Sequence, residues 1–98
     1  MHYRLRGYRI LAVNARAAGY ELDIVVRRGR RLAFIEVKAK TGDRFGDPVE
    51  MVGPDKQRRL VRAAEVWLTK HPELAGLETS FEILALRGGK LERIPDAF

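Results

Sequence analysis

The chain of 98 residues contains no cysteine. That excludes disulfides, thiolate metal sites and a cysteine nucleophile, and it makes a cytoplasmic setting the natural expectation. Serine occurs once, at Ser80, and histidine twice, at His2 and His71. A Ser-His-Asp device or a histidine-rich zinc site therefore has almost no material. His71 falls at the expected end of a helix, where it can simply favour the helix dipole. No apolar run approaches the roughly 18 residues of a membrane span, and no signal-peptide pattern opens the sequence, so no membrane partner is expected. Glycine-rich phosphate loops are missing too: FGDPVEMVGPDK, ahead of the expected helix, has the spacing of neither common motif. What remains for chemistry is carboxylate and lysine.

What is present reads as one globular domain over residues 1–98, with 46% hydrophobic and 33% charged residues. The net charge of +6 is unevenly placed. Residues 1–47 hold eleven Lys/Arg against five Asp/Glu, whereas residues 48–98 hold eight of each. A basic surface attracts polyanions, of which nucleic acid is the commonest. A merely soluble basic surface accounts for the charge about equally well.

Hydrophobic patterning orders the chain as strands, helix, strands. YRILAVN (Tyr8 to Asn14) reads as a strand and ARAAG as the turn after it. YELDIVVRRGRRLAFIEVKAK (Tyr20 to Lys40) reads as a hairpin. Residues Ala39 to Gly53 form a long loop, and Pro54 opens a helix to about His71, with Pro72 beyond its end. FEILALR and KLERI are strands joined by Gly88-Gly89. The expected domain is mixed α/β with the helix packed on one face of the sheet.

The hairpin carries acid where a plain core strand would carry valine or isoleucine. Alternation puts Ala33, Ile35 and Val37 on one face and Leu32, Phe34, Glu36 and Lys38 on the other. In the preceding strand Leu22, Ile24 and Val26 share one face, with Glu21, Asp23 and Val25 opposite. Hairpin pairing can then bring Asp23 to the side of Glu36. Ordinary cross-strand charge pairs on a solvated face, worth about 0.2–1 kcal/mol each, are the plain alternative. Phe34 and Val25 argue that these faces are covered, where an ionised group costs several kcal/mol unless it is paired or metal-bound. The same residues suit hydrolysis of a phosphodiester with a divalent ion. Mg²⁺ takes oxygen ligands, usually one or two carboxylates, which Asp23 and Glu36 supply. Lys38 can orient the attacking water or stabilise charge on phosphorus.

On the helix, Leu60, Ala64, Trp67 and Leu68 form an apolar stripe that Gln57 extends to the N-terminus. Gln57 is expected to point at the sheet, the alternative being a polar residue fraying in the first turn. Arg58, Arg59 and Arg62 flank it and can contact phosphate, though surface solvation explains them as readily.

Asp23 followed by Glu36-Val37-Lys38 on the adjacent strand resembles the PD-(D/E)xK nuclease superfamily, without the proline. The wider segments GYRILAVNAR, GYELDIVVRR, FIEVKAKTGDRFGDPVEMVGPDKQRRLVRAAEVWL and IPDAF resemble the YraN family of small bacterial proteins, in the Holliday-junction-resolvase-like branch. The resemblance runs from Gly7 to Phe98. It implies a restriction-endonuclease-like α/β fold, a mixed β-sheet with a long helix on one face, and Mg²⁺- or Mn²⁺-dependent nuclease chemistry. It carries metal binding onto Asp23, Glu36 and the Val37 backbone carbonyl, with Glu21 as a further acidic position. It carries the catalytic lysine onto Lys38 and a supporting catalytic role onto Gln57. Only Met1 to Arg6 precede the matching segment, where family members carry a longer helix with an acidic residue that approaches the metal, so the resemblance implies a truncated N-terminal helix.

The expected function is divalent-metal-dependent hydrolysis of nucleic acid, DNA favoured and branched DNA among the candidates. A non-catalytic nucleic-acid-binding module of the same fold is the alternative, and a non-catalytic interaction protein comes third. Arg27, Arg28, Arg30, Arg31, Lys40, Arg44, Arg58 and Arg59 are the expected nucleic-acid contacts. Oligomeric state stays open, with a homodimer among the options.

Overall fold

In a computed structural model, residues 7–40 and 52–98 are described, and five strands and one long helix account for most of them. Strands β1 (Arg9–Ala17), β2 (Tyr20–Arg28) and β3 (Arg31–Lys40) are followed by helix α1 (Pro54–Thr69), then by β4 (Glu78–Arg87) and β5 (Lys90–Ile94). The sheet has the order β1-β2-β3-β4-β5. Only the β3–β4 pairing is parallel, from Arg31↔Glu78 to Lys40↔Arg87. Antiparallel neighbours need only tight turns, whereas the parallel pair needs a crossover, and α1 supplies it. This is the expected α/β, restriction-endonuclease-like mixed sheet with a helix on one face. The expected truncation of an N-terminal helix concerns residues outside those described.

Strand and helix ends differ from the sequence reading by a few residues, each for a local reason. β1 runs on through Ala17, because a two-residue turn suffices: Ala18 and Gly19 have φ of 52° and 73°, the left-handed pair that a tight hairpin demands. α1 stops at Thr69 rather than His71. His71 precedes Pro72 and is driven out of the helical region, to φ −132°. β4 begins at Glu78, three residues early, because its amide N–H donates to the Arg30 carbonyl at 2.8 Å and so joins β3.

α1 lies over one face of the sheet. Its Leu60, Ala63, Ala64 and Trp67 pack on Val25, Leu32 and Phe34, with the Trp67 ring edge-on to Phe34 at 5.9 Å. Ile24, Val26, Ala33, Ile35 and Leu84 form a second cluster on the opposite face with Tyr8. Leu22 departs from the simple alternation: it joins the helix-side cluster, while Ile24 and Val26 do not. The β1–β2 register runs from Val13↔Ile24 to Ala15↔Leu22 with no Asn14–Asp23 pair. Asn14 there adopts a left-handed φ of 53°. One pair drops out at this step while the register is kept, the register shift itself lying between Ile10 and Ala12, and beyond it Leu22 faces the helix.

Candidate functional site

The same break creates the site. β2 and β3 pair from Arg28↔Arg31 up to Ile24↔Ile35 and no further. At the next step Asp23 Oδ2 accepts the Val37 backbone N–H at 2.9 Å. A carboxylate thus replaces a ladder carbonyl and holds the splayed strand ends together. Glu36, one residue along β3, is only 5% exposed. It lies across from Ile83 of β4, and Lys38 across from Ala85. With Val52, Ile83 and Ala85 form an apolar cluster that walls this end of the sheet.

Glu36 is held by two lysines. Its Oε1 lies 3.1 Å from Lys56 Nζ and 3.6 Å from Lys38 Nζ. Its Oε2 is buried and has no hydrogen-bond donor among the described residues. Burial first, and then Lys56 beside it, push Lys38 below the ordinary lysine pKa against the pull of Glu36. Burial also pulls Lys56 down, but hydrogen bonding with Lys38 and Glu36, and the charge of Glu36, more than offset it and leave Lys56 raised. Two ammonium groups at one buried carboxylate compete for it, and the closer one keeps its proton more firmly. The Tyr20 hydroxyl faces the same charges: burial first, then Glu36, raise its pKa, Lys56 opposes, and Asp23 raises it further.

Glu36 and Lys38 are thus neighbours on β3, and Asp23 reaches the Val37 amide between them. Lys56 and Tyr20 belong with them and were missed. For Lys56 a signal existed, since it stands four, seven, eight and eleven residues before the buried Leu60, Ala63, Ala64 and Trp67. Choosing Leu68 as part of the stripe, although it is only half-buried, rotated the reading by one residue onto Gln57. Tyr20 carried no signal, because alternation places it opposite Asp23 and only the ladder break turns it inward.

Gln57 is half-buried and donates through Nε2 to the Val52 carbonyl at 2.8 Å. It anchors the segment entering α1 rather than touching Glu36. A cleft of about 410 Å³ adjoins it, lined by Pro54, Gln57, Arg58, Val61, Arg62, Glu65 and Phe98 and by neither Asp23 nor Glu36. Glu21 is exposed and lies 3.9 Å from Arg16, which it pairs on the hairpin. Val37 has its N–H taken by Asp23, as above. Arg27, Arg28, Arg30 and Arg31 sit at the opposite end of the β2–β3 hairpin. Arg28 is about 16 Å along the strand from Asp23, at about 3.3 Å per residue. Arg58 pairs with Asp55 on its own helix, and Arg59 is exposed. The Lys40 side chain and Arg44 lie outside the described residues.

Two carboxylates are the groups here that could hold a hard divalent cation. Glu36 Oε2 and the second oxygen of Asp23 are carboxylate oxygens, and the first is buried without a partner. Among the described residues no three acidic or histidine side chains cluster, so the protein would supply two carboxylates and leave the remaining positions to other oxygens.

Comparison with known proteins places the chain. Residues 1–86 match the model of "Uncharacterised protein family UPF0102". A UPF0102 protein of Serratia proteamaculans is 41% identical over 99% of this chain and 85% of its own length. One from Klebsiella pneumoniae is 35% identical over 95% of this chain and 73% of its own, and one from Xanthomonas oryzae 42% over 94% and 77%. The chain belongs to UPF0102. This is the YraN family that the sequence segments resembled. In this UPF0102 chain no helix among the described residues is long and apolar enough to cross a membrane.

Proposed function

We propose that this UPF0102 chain hydrolyses phosphodiester bonds in nucleic acid with a bound Mg²⁺ or Mn²⁺, DNA being the favoured substrate. The observation that carries the reading is the buried, unpartnered Oε2 of Glu36, beside Asp23 and in the company of two lysines. A carboxylate is not left in that condition cheaply, and a cation between it and Asp23 would relieve the cost. When bound, the ion supplies charge neutralisation at the phosphate and a more acidic attacking water. Asp23 and Glu36 would hold it, each fixed by its strand. Lys38, on the same face of β3 as Glu36, orients the water or meets charge growing on phosphorus. Lys56 approaches from the helix side and carries a firm positive charge toward the same phosphate. The Tyr20 hydroxyl stands near the same charges, from the hairpin side.

Labelled linear, single-stranded, flapped and four-way substrates, incubated with Mg²⁺, Mn²⁺ or EDTA, test the proposal. Cleavage dependent on the ion and abolished by Glu36→Gln supports it. The second reading, a nucleic-acid-binding module without catalysis, draws on the same lysines, because they already neutralise Glu36 without any ion. Binding to these substrates with no cleavage and no Mn²⁺ heat in titration calorimetry would favour it.

A further inference from the structure

The end of the sheet far from Glu36 carries an arrangement that folding alone does not explain. Arg9 of β1 and Arg27 of β2 are direct cross-strand partners. Like charges placed opposite each other destabilise a sheet. Arg28 adds a third guanidinium, lying 5.8 Å from the centre of the Tyr8 ring. Arg27 Nε donates to the Gly29 carbonyl at 2.9 Å, which fixes its direction. Among the described residues no carboxylate pairs with Arg9, Arg27 or Arg28.

The neighbouring arginines behave differently. Arg31 pairs with Asp96 at 3.4 Å, and Arg30 reaches the Gly76 carbonyl at 3.4 Å. Arg9, Arg27 and Arg28 instead line a cleft of about 310 Å³ together with Gly7 and Gly29. Arg9 and Arg27 also line a second cleft, of about 250 Å³, against Trp67 and His71. Glu73 is in that second wall, but it pairs with neither arginine.

We infer that Arg9, Arg27 and Arg28 form a phosphate-binding cleft that grips the nucleic-acid backbone away from the candidate catalytic centre. The inference rests on the nucleic-acid reading proposed above, though not on cleavage. Three guanidinium groups at one concave place, without a carboxylate partner among the described residues, are suited to phosphate oxygens, which accept paired N–H bonds from arginine. A bound phosphate would also remove the Arg9–Arg27 repulsion that the free protein tolerates. Arg27 is four residues along β2 from Asp23, roughly 13 Å at about 3.3 Å per residue. That is about four base-pair steps at about 3.4 Å each, so one duplex can reach both places.

The test is fluorescence anisotropy with a labelled duplex of about 20 base pairs in EDTA, across a series of salt concentrations. Arg9→Ala/Arg27→Ala should lower the steepness of log affinity against log salt by roughly 0.9–1.8, one or two duplex phosphates. Arg9→Lys/Arg27→Lys should keep most of the slope, because charge is retained. The melting temperature of the alanine variant without DNA should hold or rise, which a structural role for the pair would not allow. A wild-type slope unchanged in the alanine variant overturns the inference while leaving the nucleic-acid reading intact. Absence of any duplex binding by wild type overturns that reading itself. Inorganic phosphate supplies the other arm. If it raises the wild-type melting temperature but not the variant's, while the duplex slope stays unchanged, the cleft serves free phosphate and the backbone assignment fails.

Discussion

Replacing Lys56 with methionine tests whether the helix is electrostatically tied to the site or merely lies near it. Methionine keeps most of the length and apolar stem of lysine and removes only the ammonium. Glu36 would lose the cation at 3.1 Å and keep only Lys38 at 3.6 Å. The carboxylate side chain is 6% exposed, whereas that of Lys56 is 34% exposed. Breaking a fully buried pair costs about 3–5 kcal/mol, and an exposed pair is worth about 0–1 kcal/mol. A pair buried on one side only falls between them, at about 1–2 kcal/mol. For a chain of this size that corresponds to a fall of roughly 4–16 °C in melting temperature, at about 4–8 °C per kcal/mol. Urea unfolding without divalent ions measures it, with an unchanged slope as the check that the unfolded state is the same. Adding Glu36→Gln to Lys56→Met should restore most of the loss, since no buried charge then lacks its partner. Coupling energy in that cycle should be about 1–2 kcal/mol. If Lys56→Met stays within about 0.5 kcal/mol of wild type, like an ordinary surface change, the tie is absent and Lys56 has no place in the site.

Asp23→Asn should leave stability nearly unchanged, because the amide oxygen can still accept the Val37 N–H, whereas Asp23→Ala should cost about 1 kcal/mol by urea unfolding. Asp23→Asn should nevertheless weaken Mn²⁺ binding in calorimetry by an order of magnitude or more, which would separate its ligand role from its structural one. Because the folded state holds Lys38 below the ordinary lysine pKa, the unfolded chain binds more protons between the two values. In that window Lys38 makes stability rise with pH, up to the ordinary value near about 10.4. Melting curves of Lys38→Met should therefore show less gain than wild type as pH climbs toward that value; an identical pH profile would refute the shift. Ala18 adopts a φ of 52°, so Ala18→Asn should stabilise the domain by about 0.5–1 kcal/mol through the Asn-Gly turn preference.

Much of this was legible from residue order. Val25, Leu32 and Phe34 alternate with Ile24, Val26, Ala33 and Ile35, which face the other way, and the face they define is the one that α1 covers. The absence of cysteine, and the near absence of serine and histidine, left carboxylate and lysine as the available chemistry. Asp23, Glu36 and Lys38 could be placed together because a strand has a period of two and a hairpin has a fixed direction. These are local rules, and local rules survive folding.

Lys56, Tyr20 and Leu22 were decided elsewhere. Alternation holds only while every step of the ladder is paired in extended backbone, and Asn14, at a φ of 53°, leaves Asp23 without a β1 partner. Past that step the hairpin turns Leu22 and Tyr20 to the helix side, which no count of residues along β2 could foresee. Lys56 reaches Glu36 because α1 packs with Leu60 and Ala63 inward, and that rotation is chosen by the sheet it covers. Sequence by itself left carboxylate and lysine as the available groups and put Asp23, Glu36 and Lys38 on two neighbouring strands. The tertiary structure decided that a buried glutamate oxygen goes without a hydrogen-bond donor and that a helix lysine guards its twin, because burial and partner choice are properties of packed surfaces that exist only once the helix has docked on the sheet.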